Sequence, residues 1–197
     1  MTKKETKEKR FKDIIQAAVD EFLEKGYEDA SMEAIAQRAG LSKGGLYHHF
    51  QNKNEIFMNA NRKLNEPVSK MMEKTTKMPS PAAGLIWFIK NYLRHWREHD
   101  REVVFYSLAM TKMLESSSLW KMYKKFYQDY WIFLESLFER GIESGEFIPH
   151  PVKENALMLM SALDGILIHL VINDELDLDE VVFLFEERFI AAYRNKK

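Results

Sequence analysis

The sequence predicts an all-α protein of about nine helices, built as an N-terminal three-helix unit with a helix-turn-helix layout followed by a larger helical domain. Three observations carry this. Apolar residues recur at helical spacing in successive segments, no segment alternates apolar and polar residues with period two, and two short capped helices flank a glycine turn near residue 40. With 197 residues, 46% of them apolar and 30% charged, the chain can bury a substantial core.

The first helix follows from Phe11, Ile14, Ile15, Ala18, Val19, Phe22 and Leu23, which share a face over about residues 9–25, with Gly26 as its stop. Ser31 is suited to cap a second helix, whose Ile35-Ala36 pair faces inward. Gly40 permits the left-handed turn and Leu41 fills the space between helices. Ser42 caps a third helix carrying Lys43, Tyr47, His48 and His49, side chains that can meet phosphates and base edges. Gly44 and Gly45 let the start of that helix approach a phosphate. The free N–H groups there favour an anion, at a cost of up to ~1 kcal/mol per glycine relative to alanine. Lys43 can reach a guanine edge or a phosphate and His48 a base edge, while His49 and Lys53 are expected to clamp the backbone. Asn52 with Glu55 opens a long fourth helix through Val68 and Met72, with a kink expected at Pro67.

The segment Thr75 to Gly84 is the clearest break, with Ser80 and Pro81 suited to N-cap and N1 of the next helix. Beyond it, helices are expected at Leu85 to His99, Arg101 to Leu114, Leu119 to Ser144, Val152 to Ile172 and Leu178 to Tyr193. The helix from Leu119 to Phe138 reads as apolar nearly all round and so as central.

The run from Ile35 to Ile56 resembles the N-terminal signature of the TetR (tetracycline-repressor) family of bacterial regulators. Ile35-Ala36, Ala39 to Ser42, Gly44, Leu46-Tyr47, His49-Phe50 and Asn52-Lys53 meet its pattern, over about a quarter of the chain. The resemblance implies a DNA-binding domain at 1–52, a connecting helix and linker at 53–79 and an effector-binding and dimerisation domain at 80–197. It places Ser31, Ser42 and Tyr47 where the family contacts the DNA backbone, and Lys43, Gly45 and His48 where the family varies. The implied partners are a double-stranded, pseudo-palindromic DNA operator, a small hydrophobic or aromatic effector, and a second copy of the chain. The implied role is a regulator, expected to be a repressor.

For the effector, Trp87, Asn91, Phe105, Met110, Tyr127 and Trp131 are the candidate lining, drawn from an aromatic-rich stretch that also serves as core. No acidic residue stands inside these stripes, which favours a neutral or acyl-type ligand over a cationic one. For the dimer, Leu157, Met160, Leu163, Leu167, Leu170 and Val171 with Val181, Val182, Leu184, Phe185, Phe189 and Ile190 form faces larger than one neighbouring helix would cover, on the two helices the family uses to dimerise. Asp164-Gly165 interrupts the first of these faces. A rival reading keeps the DNA-binding dimer but replaces the effector by a protein partner.

Charge is uneven. Residues 1–12 hold six basic side chains (Lys3, Lys4, Lys7, Lys9, Arg10, Lys12) against Glu5 and Glu8, a surplus of four in a chain whose net charge is −1, so the remainder carries −5. A basic arm ahead of a DNA-reading motif suits phosphates. His95 and His99, four apart, have the spacing of two metal ligands, but no third ligand stands out, and neither metal nor cofactor is expected. The sequence contains no GxSxG, no GxxxxGK[ST] and no GxGxxG after a strand, so no enzyme is expected. Apolar runs broken short of the ~18 residues that span a bilayer, and the lack of a signal-peptide core, point to a cytoplasmic protein without a membrane segment. The absence of cysteine agrees with this.

Overall fold

The computed structural model describes residues 3–195, and for residues 3–7 the backbone alone, so the Lys3, Lys4 and Lys7 side chains of the expected basic arm lie outside the described residues. From Lys3 onward the backbone is helical. Among the described residues are ten α-helices and one short 3-10 helix: α1 (Lys3–Asp29), α2 (Met32–Arg38), α3 (Lys43–Tyr47), α4 (Lys53–Leu64), α5 (Glu66–Thr76), α6 (Pro81–Arg97), α7 (Asp100–Glu115), α8 (Ser117–Glu143), α9 (Val152–Ile172) and α10 (Leu178–Phe189), the last followed by a 3-10 turn at Ala191–Tyr193.

The tenth helix arises where one continuous fourth helix was expected. α4 ends at Leu64 with Asn65 as its C-cap, and α5 starts at Glu66, one residue before Pro67. Proline offers no N–H to the preceding turn and its ring crowds the carbonyl of Lys63, so the ladder stops instead of bending. The Asn65 side-chain amide donates to the Asn61 carbonyl at 2.9 Å, closing the end of α4. Elsewhere the caps follow the sequence. Asn52 accepts from the Glu55 N–H at 2.9 Å, Ser80 from Ala83 at 3.1 Å, and Asp177 from Asp179 and Glu180 at 2.9 and 3.1 Å. Gly26, with φ 75°, interrupts α1 where the apolar pattern stops.

The chain divides into two compact units. The first comprises the chain through Glu66 together with Val104–Tyr123. Its core holds Ile14, Ala18, Phe22, Ile35, Leu46, Ile56, Phe57 and Phe105, all fully buried. Phe57 meets Phe22 edge-on at 5.1 Å and Phe105 at 5.5 Å. The second unit comprises Pro67–Val103 and Lys124–Lys197. Here Phe88 packs on Phe133 at 4.9 Å, α9 lies against α6, and an isolated antiparallel bridge joins Phe147 to Arg194. α8 is not apolar-buried all round as expected, since Met122 and Ile132 are exposed.

α9 corrects the reading of the apolar runs, because it is long and apolar enough to cross a membrane by length and composition. Its buried residues Leu159, Met160, Leu163, Leu167 and Leu170 nevertheless belong to a protein core.

Gly141 is fixed by packing. A methyl group there would overlap the edge of the Phe147 ring, a fully buried side chain. Gly141→Ala should therefore lower stability by about 1–3 kcal/mol, read as a lower urea midpoint with an unchanged slope.

Candidate nucleic-acid interface

The reader assembles from local rules. After α2, Gly40 adopts φ +66°; its N–H donates to the Gln37 carbonyl at 3.0 Å, and the Leu41 N–H reaches Ala36 at 2.8 Å. This pair of bonds closes a Schellman turn and redirects the chain into α3. Ser31 and Ser42 cap the two helices, accepting from Ala34 and Gly45 at 3.1 Å each. The Gly45 N–H is thereby used by the cap and is not free for an anion as expected. Each cap hydroxyl still has its own proton to donate. Leu46 and Phe50 anchor α3 to the core, with Phe50 against Phe11 at 5.6 Å.

The opposite side of α3 faces outward. Lys43 and His48 are exposed, Tyr47 is 44% exposed, and His49 is half-buried with its ring 5.7 Å from that of His48. A Cβ built on Gly44 meets nothing, so this position is open to an approaching backbone. A Cβ on Gly45 would stand 3.3 Å from the Ser42 hydroxyl, so Gly45 also serves the cap. Lys43 pairs with Glu33 across the turn, which raises the lysine pKa and lowers that of the glutamate. Both partners are exposed, and such a pair is cheaply exchanged for a phosphate. Arg38 ties α2 to α1 through Glu24 at 2.5 Å and Glu21 at 3.1 Å.

Lys53, expected at the DNA backbone, is engaged within the unit. Its ammonium donates to the carbonyls of Tyr27 at 2.6 Å, Glu28 at 2.8 Å and Ala30 at 3.0 Å, and lies 4.6 Å from the centre of the Tyr27 ring. An ammonium has three protons, and all three reach carbonyls of the turn that follows Gly26. In this arrangement Lys53 ties the start of α4 to the turn between α1 and α2.

The six candidate effector residues are divided between the two units. Phe105 and Met110 belong to the first unit, where Phe105 is core beside Phe22 and Phe57. Trp87, Asn91, Tyr127 and Trp131 belong to the second unit and are half-buried. The Lys74 ammonium sits 4.3 Å over Trp87, and the Asn91 side chain donates to the Trp87 carbonyl at 2.7 Å. The Trp131 indole N–H is buried without a hydrogen-bond partner among the described residues. A cleft of about 820 Å³ lies elsewhere, between α1 and α4, lined by Glu8, Phe11, Lys12, Asn59, Arg62 and Lys63 with Glu66. Sequence reading missed it because its walls come from two helices some 50 residues apart, each reading locally as a solvated face.

The apolar faces of the last two helices are likewise redistributed. Met160, Leu163, Leu167, Leu170, Val182, Phe185 and Ile190 are buried within the chain, whereas Leu157, Met158, Ile168, Ile172, Phe183 and Leu184 are exposed. Asp164 accepts from the Tyr92 hydroxyl at 3.2 Å, and Gly165 is exposed with open space above it.

Residues 14–60 match the profile of the bacterial regulatory proteins of the tetR family, and residues 102–193 match the C-terminal region of QacR-like proteins. The chain belongs to the TetR family. Among relatives, this TetR-family protein is 29% identical over 180 residues to the uncharacterized HTH-type transcriptional regulator YfiR of Bacillus subtilis (strain 168), covering 87% of this chain and 85% of that protein. It is 28% identical over 184 residues to the HTH-type transcriptional repressor AcnR of Corynebacterium diphtheriae, covering 90% of each. Its fold is similar to that of the regulator FadR from Bacillus subtilis, solved with stearoyl-CoA, with a TM-score of 0.75 at 23% identity over 93% of this chain and 100% of that one. The TetR-family chain is a transcriptional regulator with a helix-turn-helix.

Replacing Lys53 with methionine keeps the apolar stem and leaves three carbonyls without their donor. Thermal unfolding without DNA should show a loss of about 2 kcal/mol, whereas Tyr47→Ala should leave the melting temperature within experimental scatter.

Proposed function

We propose that the protein is a homodimeric repressor that grips a pseudo-palindromic operator through α3 and releases it when a small hydrophobic or acyl-type molecule binds. The observation that carries the DNA reading is the outward face of α3. Lys43, Tyr47 and His48 stand exposed beside Gly44, whose missing side chain leaves room for a phosphate backbone, on a helix held from behind by Leu46 and Phe50. Lys43 and His48 suit base edges, while Tyr47, His49 and the Ser31 and Ser42 hydroxyls suit backbone oxygens.

The dimer reading is supported by the exposed apolar residues of α9 and α10. Leu157, Ile168 and Ile172 recur at helical spacing with Ser161 and Gly165 between them, and Phe183 and Leu184 are 58% and 47% exposed. Small residues within an apolar stripe let a partner helix come close. A second copy covering this surface removes it from water and brings two α3 helices to half-sites about one DNA turn, ~34–36 Å, apart. The effector reading is supported by the unpartnered Trp131 N–H within an aromatic region, and by the stearoyl-CoA bound to the structurally similar FadR. A regulator of this kind works in the cytoplasm, where its DNA is.

Gel shifts on DNA selected from a random pool test the reader. Tyr47→Ala should weaken binding to all sequences, and His48→Ala should relax preference at one or two positions by about 1–3 kcal/mol; unchanged affinity in both would refute the assignment of α3. Phe183→Glu with Leu184→Glu should turn the dimer into a folded monomer in sedimentation and abolish operator binding, since one half-site contact is lost. A series of acyl-CoA thioesters should raise the melting temperature and release the operator as chain length grows. Failure of every member to do either would remove the acyl-type effector.

A further inference from the structure

α6 ends at Arg97 and α7 begins at Asp100, and within this turn the N–H groups of Glu102 and Val103 donate to the His99 carbonyl at 3.0 and 3.2 Å. The turn brings three half-buried side chains of the second unit together. The rings of His95 and His99 lie 4.3 Å apart, and one ligand atom from each of His95, His99 and Glu102 lies within 4.8 Å of the others.

The hydrogen bonding of the two imidazoles is that of metal ligands in waiting. His99 Nδ1 is 2.6 Å from the His95 carbonyl oxygen, an acceptor only, so this nitrogen carries the proton and donates it. In the neutral ring Nε2 then holds a lone pair, and the carbonyl fixes the ring's orientation, as outer-shell partners do for metal-bound histidines. His95 Nε2 is buried and has no hydrogen-bond partner among the described residues. Buried polar atoms are nearly always paired, so one left unpaired on a histidine of this cluster calls for a ligand. Glu102 adds a carboxylate that can offset the charge of a cation.

We propose that His95, His99 and Glu102 form a binding site for a divalent transition ion of zinc-like preference. Two imidazole nitrogens and one carboxylate oxygen are the donors such an ion selects, leaving a fourth position to water or another small donor, whereas magnesium and calcium require mainly oxygen. The bound ion links the last turn of α6 to the first turn of α7 and gives His95 Nε2 its partner.

The test uses the full chain without an affinity tag, stripped with EDTA and titrated calorimetrically with zinc chloride, then with cobalt(II) followed by visible absorption. One zinc per chain is expected, with a higher melting temperature, and His99→Ala and Glu102→Gln should each weaken binding about tenfold or more while remaining folded by circular dichroism in EDTA. Zinc binding that is unchanged in both variants, or absent in the native chain, overturns the proposal. If a variant does not fold, the native chain decides by itself. Intense four- or five-coordinate cobalt absorption supports the site, and the weak spectrum of the aquated ion overturns it. No DNA enters the experiment, so its failure leaves the operator reading untouched.

Discussion

The Lys53 ammonium, held by three carbonyls in the turn that follows Gly26, is the constraint on which the reader depends. Carbonyls in the turn after Gly26 lack the regular donors that a continuing helix would supply. Placing one cation there from the first residue of α4 ties the two helices that frame the unit and sets where the chain turns toward α2. The Tyr27 ring lies beneath the same ammonium and packs on Phe57 at 4.8 Å. Electrostatic closure and aromatic packing therefore meet at one point. Lys112 reinforces the region by pairing with Glu28 and with Glu115, which raises its pKa further above the ordinary lysine value.

With that frame fixed, α3 can be short and glycine-rich. Five residues with two glycines have little helical stability of their own, and tertiary packing supplies it. Ser42 satisfies one N–H, the Schellman turn fixes the entry direction, and Leu46 and Phe50 fill the core. What remains outward is polar and open. Lys43 and His48 stand on this outward side, apart from the buried anchors that hold the fold.

The second unit carries its chemistry in half-buried places. The His95 imidazole is held below its usual pKa by burial and by His99 beside it, and burial pushes the Glu102 carboxyl up. Burial of His95 favours its neutral form. Its contribution to stability is thus present above the unfolded pKa near ~6.5 and lost as the pH falls below it, because the unfolded chain takes up that proton more readily. Ser80 caps α6 and at the same time donates to Glu146 at 2.8 Å, so a local helix start and a long-range contact share one hydroxyl.

Much was legible in the sequence because it rests on near neighbours. Caps at Ser31, Ser42, Asn52, Ser80 and Asp177, the left-handed Gly26 and Gly40, and the helical periodicity of each segment are set within four residues, a range the chain itself determines. The residues that the sequence could not place are those whose partners come from afar. Periodicity marks Phe105 as inward-facing without saying which core it joins, and it marks α9 and α10 as apolar without saying which side is already covered. A lysine in a reader motif looks like a phosphate contact until three carbonyls from 23 to 26 positions earlier take its protons. Glu102 is unremarkable beside His95 and His99 until a turn sets it against them. Local propensity and pattern fixed the helices and the character of the reader, while the assignment of each side chain to a core, a cap or an open face waited on tertiary structure, since burial and hydrogen-bond partnership are properties of two segments and not of one.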